Sequence, residues 1–206
     1  MAANYDRTAW FYERLSKLVF GQAQVKAQEF FLDRIPPKSN ILIIGGGTGQ
    51  ILESLTLLHP SGLKITYVEI SPKMMALSRK RNTGQNHINY ITAGIEEANV
   101  THVFDVVITA FLFDNFPQDI LNKVFMVINA RLKPGALWLN TDFQLTGPLW
   151  QKLMLQSMYT FFRLFGAVKV NKLPNVKMQF EKHGYKLHAQ KNFYGNFITA
   201  KLYLKK

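Results

Sequence analysis

The sequence contains no cysteine among its 206 residues. Disulfide bonds, thiolate zinc sites and a cysteine nucleophile are therefore excluded, and the composition fits a reducing compartment. No uninterrupted apolar run approaches the ~20 residues that a membrane-spanning helix needs. The first residues carry charges throughout, which is not the pattern of a secretory signal. The sequence therefore predicts a cytoplasmic globular protein.

Acidic residues are almost missing from the last quarter of the chain. Residues 151–206 hold 11 of the 25 Lys and Arg residues but only Glu181 of the 13 acidic residues. This segment therefore supplies most of the formal net charge of +12. A basic segment suits an anionic membrane, a nucleic acid or an acidic substrate, and it equally suits a solvated surface.

Short apolar runs alternate with segments of helical periodicity, and 48% of the residues are hydrophobic, which is enough for a core. Strands are predicted over 41–44, 65–70, 88–92, 104–110, 136–141, 185–193 and 196–204, and helices over 6–33, 49–58, 72–82, 118–132, 148–165 and 175–183. Helices separate the first five strands, which predicts parallel pairing, whereas a short turn joins the last two into an antiparallel hairpin. We predict an α/β fold with a Rossmann-like, mostly parallel seven-stranded sheet.

A glycine cluster follows the first predicted strand and leads into a helix. It reads Gly45-Gly46-Gly47-Thr48-Gly49. Glycines allow the backbone to turn sharply and to approach a ligand, and a helix N-terminus offers unpaired N–H donors. The spacing is neither the dinucleotide G-x-G-x-x-G motif nor a phosphate-binding P-loop. The cluster therefore predicts a ligand-binding turn or a turn without a ligand.

An acidic residue ends the second predicted strand. Glu69 stands 20 residues after Gly49, in the otherwise apolar run from Tyr67 to Ile70. A carboxylate at this place can accept hydrogen bonds from both hydroxyls of a ribose. The alternative is a surface acid at the end of a strand. We favour the ribose because an unpaired charge in apolar surroundings is costly.

Four segments in this order resemble the motifs of the class I S-adenosylmethionine-dependent methyltransferases. They are ILIIGGGTGQIL (41–52), YVEISPKMM (67–75), FDVVITAFLFDNFP (104–117) and RLKPGALWLNTDF (131–143). The opening YDRTAWFYERLSKLVFG (5–21) resembles the quinone-biosynthesis C-methyltransferases. Those relatives carry an Arg-Asn pair after the fourth strand, where this chain has Asp114-Asn115.

The resemblance implies S-adenosyl-L-methionine as the cofactor and a methyltransferase activity of class EC 2.1.1. The positions that it implies for cofactor binding are Gly45, Gly46, Gly47, Gly49, Glu69, Ile70, Gly94, Ile95, Ala110 and Phe111. The glycines would face the methionine moiety and Glu69 the ribose. Gly94 stands where the family usually has an acid that binds the adenine amine, so only a backbone contact from Ile95 is expected there.

The acceptor side of the site carries fewer signals. Asp114 and Asp142 follow the fourth and fifth strands and are candidate catalytic bases, although each also suits a helix cap or a loop. The candidate lid residues are Tyr5, Tyr12, Trp150 and Met154, which equally suit ordinary core packing. No metal site is predicted, and the histidines receive no role.

These observations predict one domain with two additions to its core. The expected division of residues 1–206 is a helical cap (1–35), a cofactor-binding core (36–145) and a lid helix with the C-terminal hairpin (146–206). The lid helix is expected between strands five and six.

The predicted function is methyl transfer to a small lipophilic or anionic acceptor, with an optional peripheral contact to an anionic membrane. A nucleic-acid methyltransferase is one alternative, but the Asn/Asp-Pro-Pro-aromatic motif that holds a flipped base is missing after the fourth strand. A non-catalytic cofactor-binding module is another. The sequence does not indicate the accepting atom or the oligomeric state.

Overall fold

A computed structural model describes residue 6, residues 12–164 and residues 170–206 of the chain. The strands are β1 (Asn40–Ile44), β2 (Ser61–Glu69), β3 (Gln85–Thr92), β4 (Phe104–Ala110), β5 (Leu132–Phe143), β6 (Tyr185–Phe193) and β7 (Ile198–Lys205). The α-helices are α1 (Tyr12–Phe20), α2 (Ala23–Glu29), α3 (Gln50–Leu58), α4 (Pro72–Ser78), α5 (Gln118–Asn129), α6 (Leu149–Leu164) and α7 (Val176–Lys182). The strands form one sheet in the order β3-β2-β1-β4-β5-β7-β6.

The first five strands of the sheet are parallel, with β1 at the centre of this half. Both neighbours of β1 are parallel to it, and Ile41 to Ile44 are buried. Burial on both faces explains why the sequence shows a continuous apolar run here rather than an alternating one. The chain leaves β1 toward β2 on one side and returns to β4 on the other. In open α/β sheets, this reversal is where ligands bind, beyond the carboxyl ends of the strands.

The last two strands are antiparallel to their neighbours, with β7 lying between β5 and the edge strand β6. Their short connection, residues 194–196, has a positive φ at each position. The predicted mostly parallel seven-stranded α/β fold with a C-terminal antiparallel hairpin is therefore confirmed.

The core has a layer on each face of the sheet and a third cluster under the helices that were predicted as the lid. On one face, Trp138 stacks on Phe125 with ring centroids 4.7 Å apart, and its indole N–H donates to the Thr109 hydroxyl over 2.8 Å. The third cluster joins α1, α6 and the hairpin through Phe20, Leu155 and neighbouring aromatic residues. This cluster holds the helices over the carboxyl end of the sheet.

Several element boundaries differ from the sequence-based prediction. The predicted helix 6–33 is divided into α1 and α2, β2 begins at Ser61 rather than residue 65, and β3 begins at Gln85 rather than residue 88. Helix α4 ends at Ser78 rather than residue 82, because the next turn tightens into i→i+3 hydrogen bonds. Helix α5 ends at Asn129 rather than residue 132, and β5 begins at Leu132 rather than residue 136. The Lys133-Pro134-Gly135 segment predicted a stop, but it lies inside β5 as an irregularity in the pairing with β4. There, the Lys133 ammonium lies 2.6 Å from the Asp105 carboxylate.

Substitution of two glycines with positive φ, Gly49 and Gly135, distinguishes the cost of backbone strain from the cost of a steric collision. A Cβ on Gly49 would lie 2.7 Å from the Cβ of Ser78, whereas a Cβ on Gly135 would meet nothing within 4 Å. We expect Gly135→Ala to cost about 1–2 kcal/mol of folding free energy through φ alone. Gly49→Ala should cost about 1–3 kcal/mol more, because the helices must move apart. Urea unfolding measures both, and equal losses would contradict the close approach of α3 and α4.

Candidate active site

A cavity of about 330 Å³ opens at the carboxyl ends of β1, β2 and β4. The glycine turn after β1, residues 45–48, forms its floor, and residues 93–96 after β3 form one wall. Helices α1 and α2 cover it with Ser16, Gln24 and other side chains. The cavity therefore lies at the reversal of strand order, where the topology predicts a ligand.

The glycine turn approaches the cavity without side chains in the way. A Cβ on Gly47 would meet no atom within 4 Å, so this backbone faces open cavity space. A Cβ on Gly46 would lie 2.4 Å from the ring of Tyr67, whose hydroxyl donates to the Gly47 carbonyl over 2.9 Å. Gly49 does not line the cavity, because it begins α3 against Ser78 of α4.

The carboxylate of Glu69 lies at the end of β2 and is buried, with 6% of the residue exposed. One carboxylate oxygen accepts from the N–H of Gly47 over 3.0 Å, and the other accepts from the N–H of Ser71 over 2.8 Å. Burial raises the pKa of Glu69, and these backbone donors oppose that rise. The residue lines the cavity, so it offers a buried acceptor beside the glycine turn.

A side chain that the sequence did not indicate lies beside Gly94. The carboxylate of Glu96 lines the cavity, and one of its oxygens is 3.2 Å from the place that a Cβ of Gly94 would take. The sequence predicted only a backbone contact from Ile95 here, and the structure adds the acidic side chain of Glu96 to this wall. The neighbouring pair Glu96-Glu97 in the sequence was the available signal, but its register relative to β3 was needed to use it.

Arg81 joins the glycine turn to the helical cap. Its Nε donates to the carbonyl of Thr48 over 2.9 Å, and its guanidinium also contacts the carboxylates of Glu53 and Glu13. The Glu13 carboxylate in turn accepts from the Thr48 hydroxyl. This network fixes α1 over the cavity, and its members are too far apart in sequence to be recognised as a group.

A second cavity of about 290 Å³ lies between α1, α6 and the end of the sheet. Its walls are mainly apolar and come from Leu15, Val19, Phe20, Phe143, Met154, Met158, Phe161 and Phe162. Ser16, Gln24, Phe111 and Asn115 line both cavities, so the two spaces share a wall. Phe111 has a φ of 51°, an uncommon backbone conformation for a non-glycine residue that is often found at functional sites.

The structure separates the four residues predicted for the lid. Met154 lines the second cavity. Trp150 does not line either cavity, because its ring packs on Tyr194 and Phe197 at the hairpin turn. Tyr5 lies outside the described residues, and of Tyr12 only the backbone, at the start of α1, is described. The prediction of Trp150 as a lid residue over the acceptor is therefore corrected, because its side chain packs at the hairpin turn instead.

Two buried carboxyl groups, Asp114 and Asp142, lie close to the shared wall. Asp114 lines the second cavity, whereas Asp142 on β5 lines neither cavity. Burial raises the pKa of both groups, that of Asp142 to about 7, and the charge of Asp142 raises the pKa of Asp114 further. An oxygen of Asp142 accepts from the Phe143 N–H over 2.9 Å. Among the described residues, its other oxygen has no hydrogen-bond partner.

Comparison with known proteins shows what this site is similar to. Residues 41–135, a little under half of the chain, match the model of a methyltransferase domain. The chain is similar to class I methyltransferases. It is 34% identical over 134 residues to the ubiquinone/menaquinone biosynthesis C-methyltransferase of Wigglesworthia glossinidia brevipalpis, covering 61% of this chain and 51% of that protein. It is 31% identical over 134 residues to a malonyl-[acyl-carrier protein] O-methyltransferase of Anoxybacillus flavithermus, covering 64% and 49%.

Solved methyltransferases have the same fold. Human N-acetylserotonin methyltransferase in complex with S-adenosylmethionine superposes with a TM-score of 0.68 at 18% identity, covering 98% of this chain and 57% of that one. An N-methyltransferase of Bradyrhizobium japonicum with S-adenosylhomocysteine gives 0.63 at 13% identity, covering 88% and 86%. The chain spans about half the length of the curated relatives it matches.

The methyltransferase family uses S-adenosyl-L-methionine, and the residues of the first cavity suit this cofactor. The open space at Gly47 leaves room for a ligand directly over the backbone. Glu69 places a carboxylate in this cavity, and Ile70, Ile95 and Ala110 form part of its apolar wall. Within the described part of the chain, no group of three or more His, Asp or Glu residues could hold a metal ion.

The buried carboxyl pair should make the stability of this protein depend on pH. Because the folded pKa of Asp142 is raised, the folded state retains protons that the unfolded chain releases. Stability should therefore fall as pH rises from the ordinary aspartate range of about 4 to about 7. Asp142→Asn should flatten this decline and stabilise the protein at about pH 8 by ~2–4 kcal/mol, since each pKa unit corresponds to about 1.4 kcal/mol.

The measurement is urea unfolding of both proteins at a series of pH values. Asp119→Asn is the matched control, because Asp119 is an exposed acid in the first turn of α5. This control should change stability by less than about 1 kcal/mol and leave the pH dependence intact. A pH profile of Asp142→Asn that matches the wild type would contradict the burial cost of this carboxylate.

Proposed function

We propose that the chain transfers a methyl group from S-adenosyl-L-methionine to a small lipophilic acceptor bound in the second cavity. The observation that carries this proposal is the wall shared by the two cavities, formed in part by Phe111 and Asn115. A carboxylate and open glycine backbone on one side suit the cofactor, and apolar side chains on the other side suit the acceptor. Because the two cavities share this wall, a cofactor in the first cavity and an acceptor in the second can come into contact at its edge.

The cofactor side is proposed residue by residue. Glu69 accepts the ribose hydroxyls, Gly45 and Gly47 leave space for the methionine moiety, and Ile70 packs near the adenine. Glu96 adds a carboxylate for the adenine amine, beside the backbone of Gly94 and Ile95, because it lines the same wall. Gly46 and Gly49 act indirectly, through their close approach to Tyr67 and Ser78.

Little covalent chemistry is asked of the protein. When bound, the cofactor supplies a methyl group already activated on a sulfonium sulfur. The chain contributes by holding the acceptor in line and by excluding water, which together account for large rate effects. Helices α1, α2 and α6 cover the two cavities and supply this exclusion.

The acceptor is proposed to be uncharged and mainly apolar. Among the described residues that line the second cavity there is no Lys, Arg or His, so an anionic acceptor has no counter-charge there. The anionic acceptor considered from the sequence is therefore not supported by this wall. A cavity of about 290 Å³ lies at the small end of the range for ligand sites, which favours a small molecule over a nucleic acid.

Cofactor affinity should depend on the carboxylate of Glu69. Glu69→Gln keeps one oxygen for the backbone donors but removes the charge, and we expect at least about tenfold weaker binding of S-adenosylmethionine, since charged hydrogen bonds contribute ~1.5–3 kcal/mol. Isothermal titration calorimetry measures the dissociation constant. Glu97→Gln is the matched control, because Glu97 is exposed in the same loop region as Glu96 and does not line the cavity.

Two results would count against the proposed function. Equal affinity of the wild type and Glu69→Gln would remove Glu69 from the cofactor site. Tight cofactor binding with no methyl transfer to any of a broad set of phenols, amines and enols would favour a non-catalytic binding module.

We also propose that an anionic membrane is a peripheral partner. Both helices that wall the second cavity expose leucines, with Leu18 on α1 and Leu149, Leu153 and Leu164 on α6 all more than half exposed. Lys152 and Arg163 lie exposed on the same helix α6. Apolar side chains flanked by cations suit the headgroup region of an anionic bilayer. Within the described residues, no helix is long and apolar enough to cross a membrane.

Vesicle co-sedimentation tests this partner. We expect binding to vesicles that contain phosphatidylserine but not to pure phosphatidylcholine. The binding should be lost in high salt, because the screening length falls from about 10 Å at 0.1 M to about 3 Å at 1 M. Leu149→Ser with Leu153→Ser should weaken binding, whereas Leu57→Ser on α3, which removes a leucine that is 86% exposed, should not. Equal binding to both vesicle types would indicate that the basic segment, residues 151–206, is only a solvated surface.

A further inference from the structure

The second cavity has one carboxyl group in mainly apolar surroundings, and this group is half of a buried pair. Asp114 lies in the turn after β4 and lines the cavity, and 7% of the residue is exposed. Asp142 lies on the neighbouring strand β5 and is 5% exposed. Two carboxylates cannot both stay ionised in such a place without a large cost.

Three neighbours hold the Asp114 turn in position. The amide of Asn115 donates to one oxygen of the Asp114 carboxylate over 2.8 Å and to the carbonyl of Phe111 over 2.8 Å. The hydroxyl of Tyr159 on α6 donates to the backbone carbonyl of Asp114 over 3.1 Å. The carboxyl group that meets the acceptor cavity is therefore fixed by the shared wall and by the covering helix.

The charges around the pair favour a single proton shared between the two acids. Lys201 on β7 is partly buried, and it lies opposite Asn140 of β5, the strand that also carries Asp142. The ammonium of Lys201 opposes the burial effect on the pKa of Asp142. The other titratable group beside the two acids is the Tyr159 phenol. Burial first and the charges of Asp114 and Asp142 second raise its pKa, so it stays neutral. One ammonium, one carboxylate and one carboxylic acid give a cluster without net charge.

Unpartnered polar atoms mark the same place. One oxygen of Asp142 and the hydroxyl of Thr199 are both buried and make no close hydrogen bond among the described residues. The backbone N–H groups of Phe113 and Asp114 nevertheless act on the Asp142 carboxyl group and lower its pKa. Asp142 and Thr199 stand directly opposite each other in the pairing of β5 with β7. Buried polar atoms are usually satisfied, so this pattern indicates a site that holds a proton or a water when it works.

Building on the proposed function, we propose that Asp114 and Asp142 share one proton and that Asp114 takes the proton of an acceptor carrying a weakly acidic hydroxyl group, such as a phenol or an enol. Asp114 is then the catalytic base in the state in which the shared proton lies on Asp142, because Asp114 is the acid that lines the acceptor cavity. Asp142, Asn115 and Lys201 are positioning residues that set its charge and orientation. The acceptor enters neutral, as the apolar wall requires.

The proposed step balances without a further reactant. The O–H bond of the acceptor breaks, its proton passes to the carboxylate of Asp114, and its oxygen forms the new bond to the methyl carbon. The bond from that carbon to sulfur breaks, and its electron pair remains on sulfur. The pair then holds two protons and releases one to solvent, which restores the shared-proton state.

Binding of phenol and of anisole tests the proposal without requiring turnover. The two molecules have nearly the same shape, but only phenol carries a hydroxyl proton, and it stays neutral at about pH 8 because phenols ionise near about pH 10. NMR titration of the whole chain should show that phenol binds about tenfold tighter than anisole at this pH, as expected for a hydrogen bond to a charged group. The preference should shrink at about pH 5, where both acids become protonated.

Three variants separate the base from its surroundings. Asp114→Asn should abolish the preference for phenol, and Asp119→Asn should keep it. Asp142→Asn should retain the preference and extend it to lower pH, because Asp114 no longer shares its proton. This last variant also keeps the test informative if Asp114→Asn does not fold, since a merely structural pair would not shift the pH profile of the preference.

Several outcomes overturn the proposal. They are equal affinities of the wild type for phenol and anisole, a preference that survives Asp114→Asn, tighter binding of benzylamine than of phenol, and no saturable binding of phenol. S-adenosylhomocysteine affinity, measured on the same proteins, separates this result from the cofactor assignment. If that affinity is unchanged in Asp114→Asn while the phenol preference is absent from the wild type, only the proton transfer falls.

Discussion

The parallel register between β1 and β2 is the constraint on which the first cavity depends. Because Ile44 lies opposite Val68, the residue after β1 and the last residue of β2 emerge side by side. The N–H of Gly45 donates to Val68, and the N–H of Gly47 donates to Glu69. The turn is thus fixed by the neighbouring strand, and the carboxylate is fixed by the turn. A shift of one residue would point the Glu69 side chain to the other face of the sheet.

The carboxyl end of the sheet carries several features that are unfavourable for stability. Glu69, Asp114 and Asp142 are buried acids with raised pKa values, and Phe111 adopts a backbone conformation uncommon outside glycine. Such features persist only where the surrounding fold determines them, and they cluster at functional sites. Here, the surrounding fold is an apolar sheet with layers on both faces and the aromatic cluster under α6.

The second cavity, proposed for the acceptor, is covered by helices that lie outside the segment matched to the methyltransferase domain, residues 41–135. Helices α1 and α6 wall the second cavity, and the amide of Gln151 ties α6 to the hairpin by donating to the carbonyl of Gly195 over 3.0 Å. Arg81 ties α1 to the glycine turn. The walls of the second cavity therefore depend on contacts between residues that lie far apart in sequence. The relatives are named as a ubiquinone/menaquinone biosynthesis C-methyltransferase and a malonyl-[acyl-carrier protein] O-methyltransferase, so their names do not define one acceptor.

The sequence alone determined the order of strands and helices, the glycine turn and Glu69, because apolar periodicity and glycine are local signals with a direct physical meaning. It placed Asp114 beside the acceptor cavity, but it also placed Trp150 there and left Glu96 unnoticed. Only the tertiary structure decided those positions, since they depend on the angle of α6 over the hairpin and on the wall after β3. The tertiary structure also decided the pairing of Asp114 with Asp142. Burial and repulsion act on these carboxyl groups only after β4 and β5 have come together in the sheet.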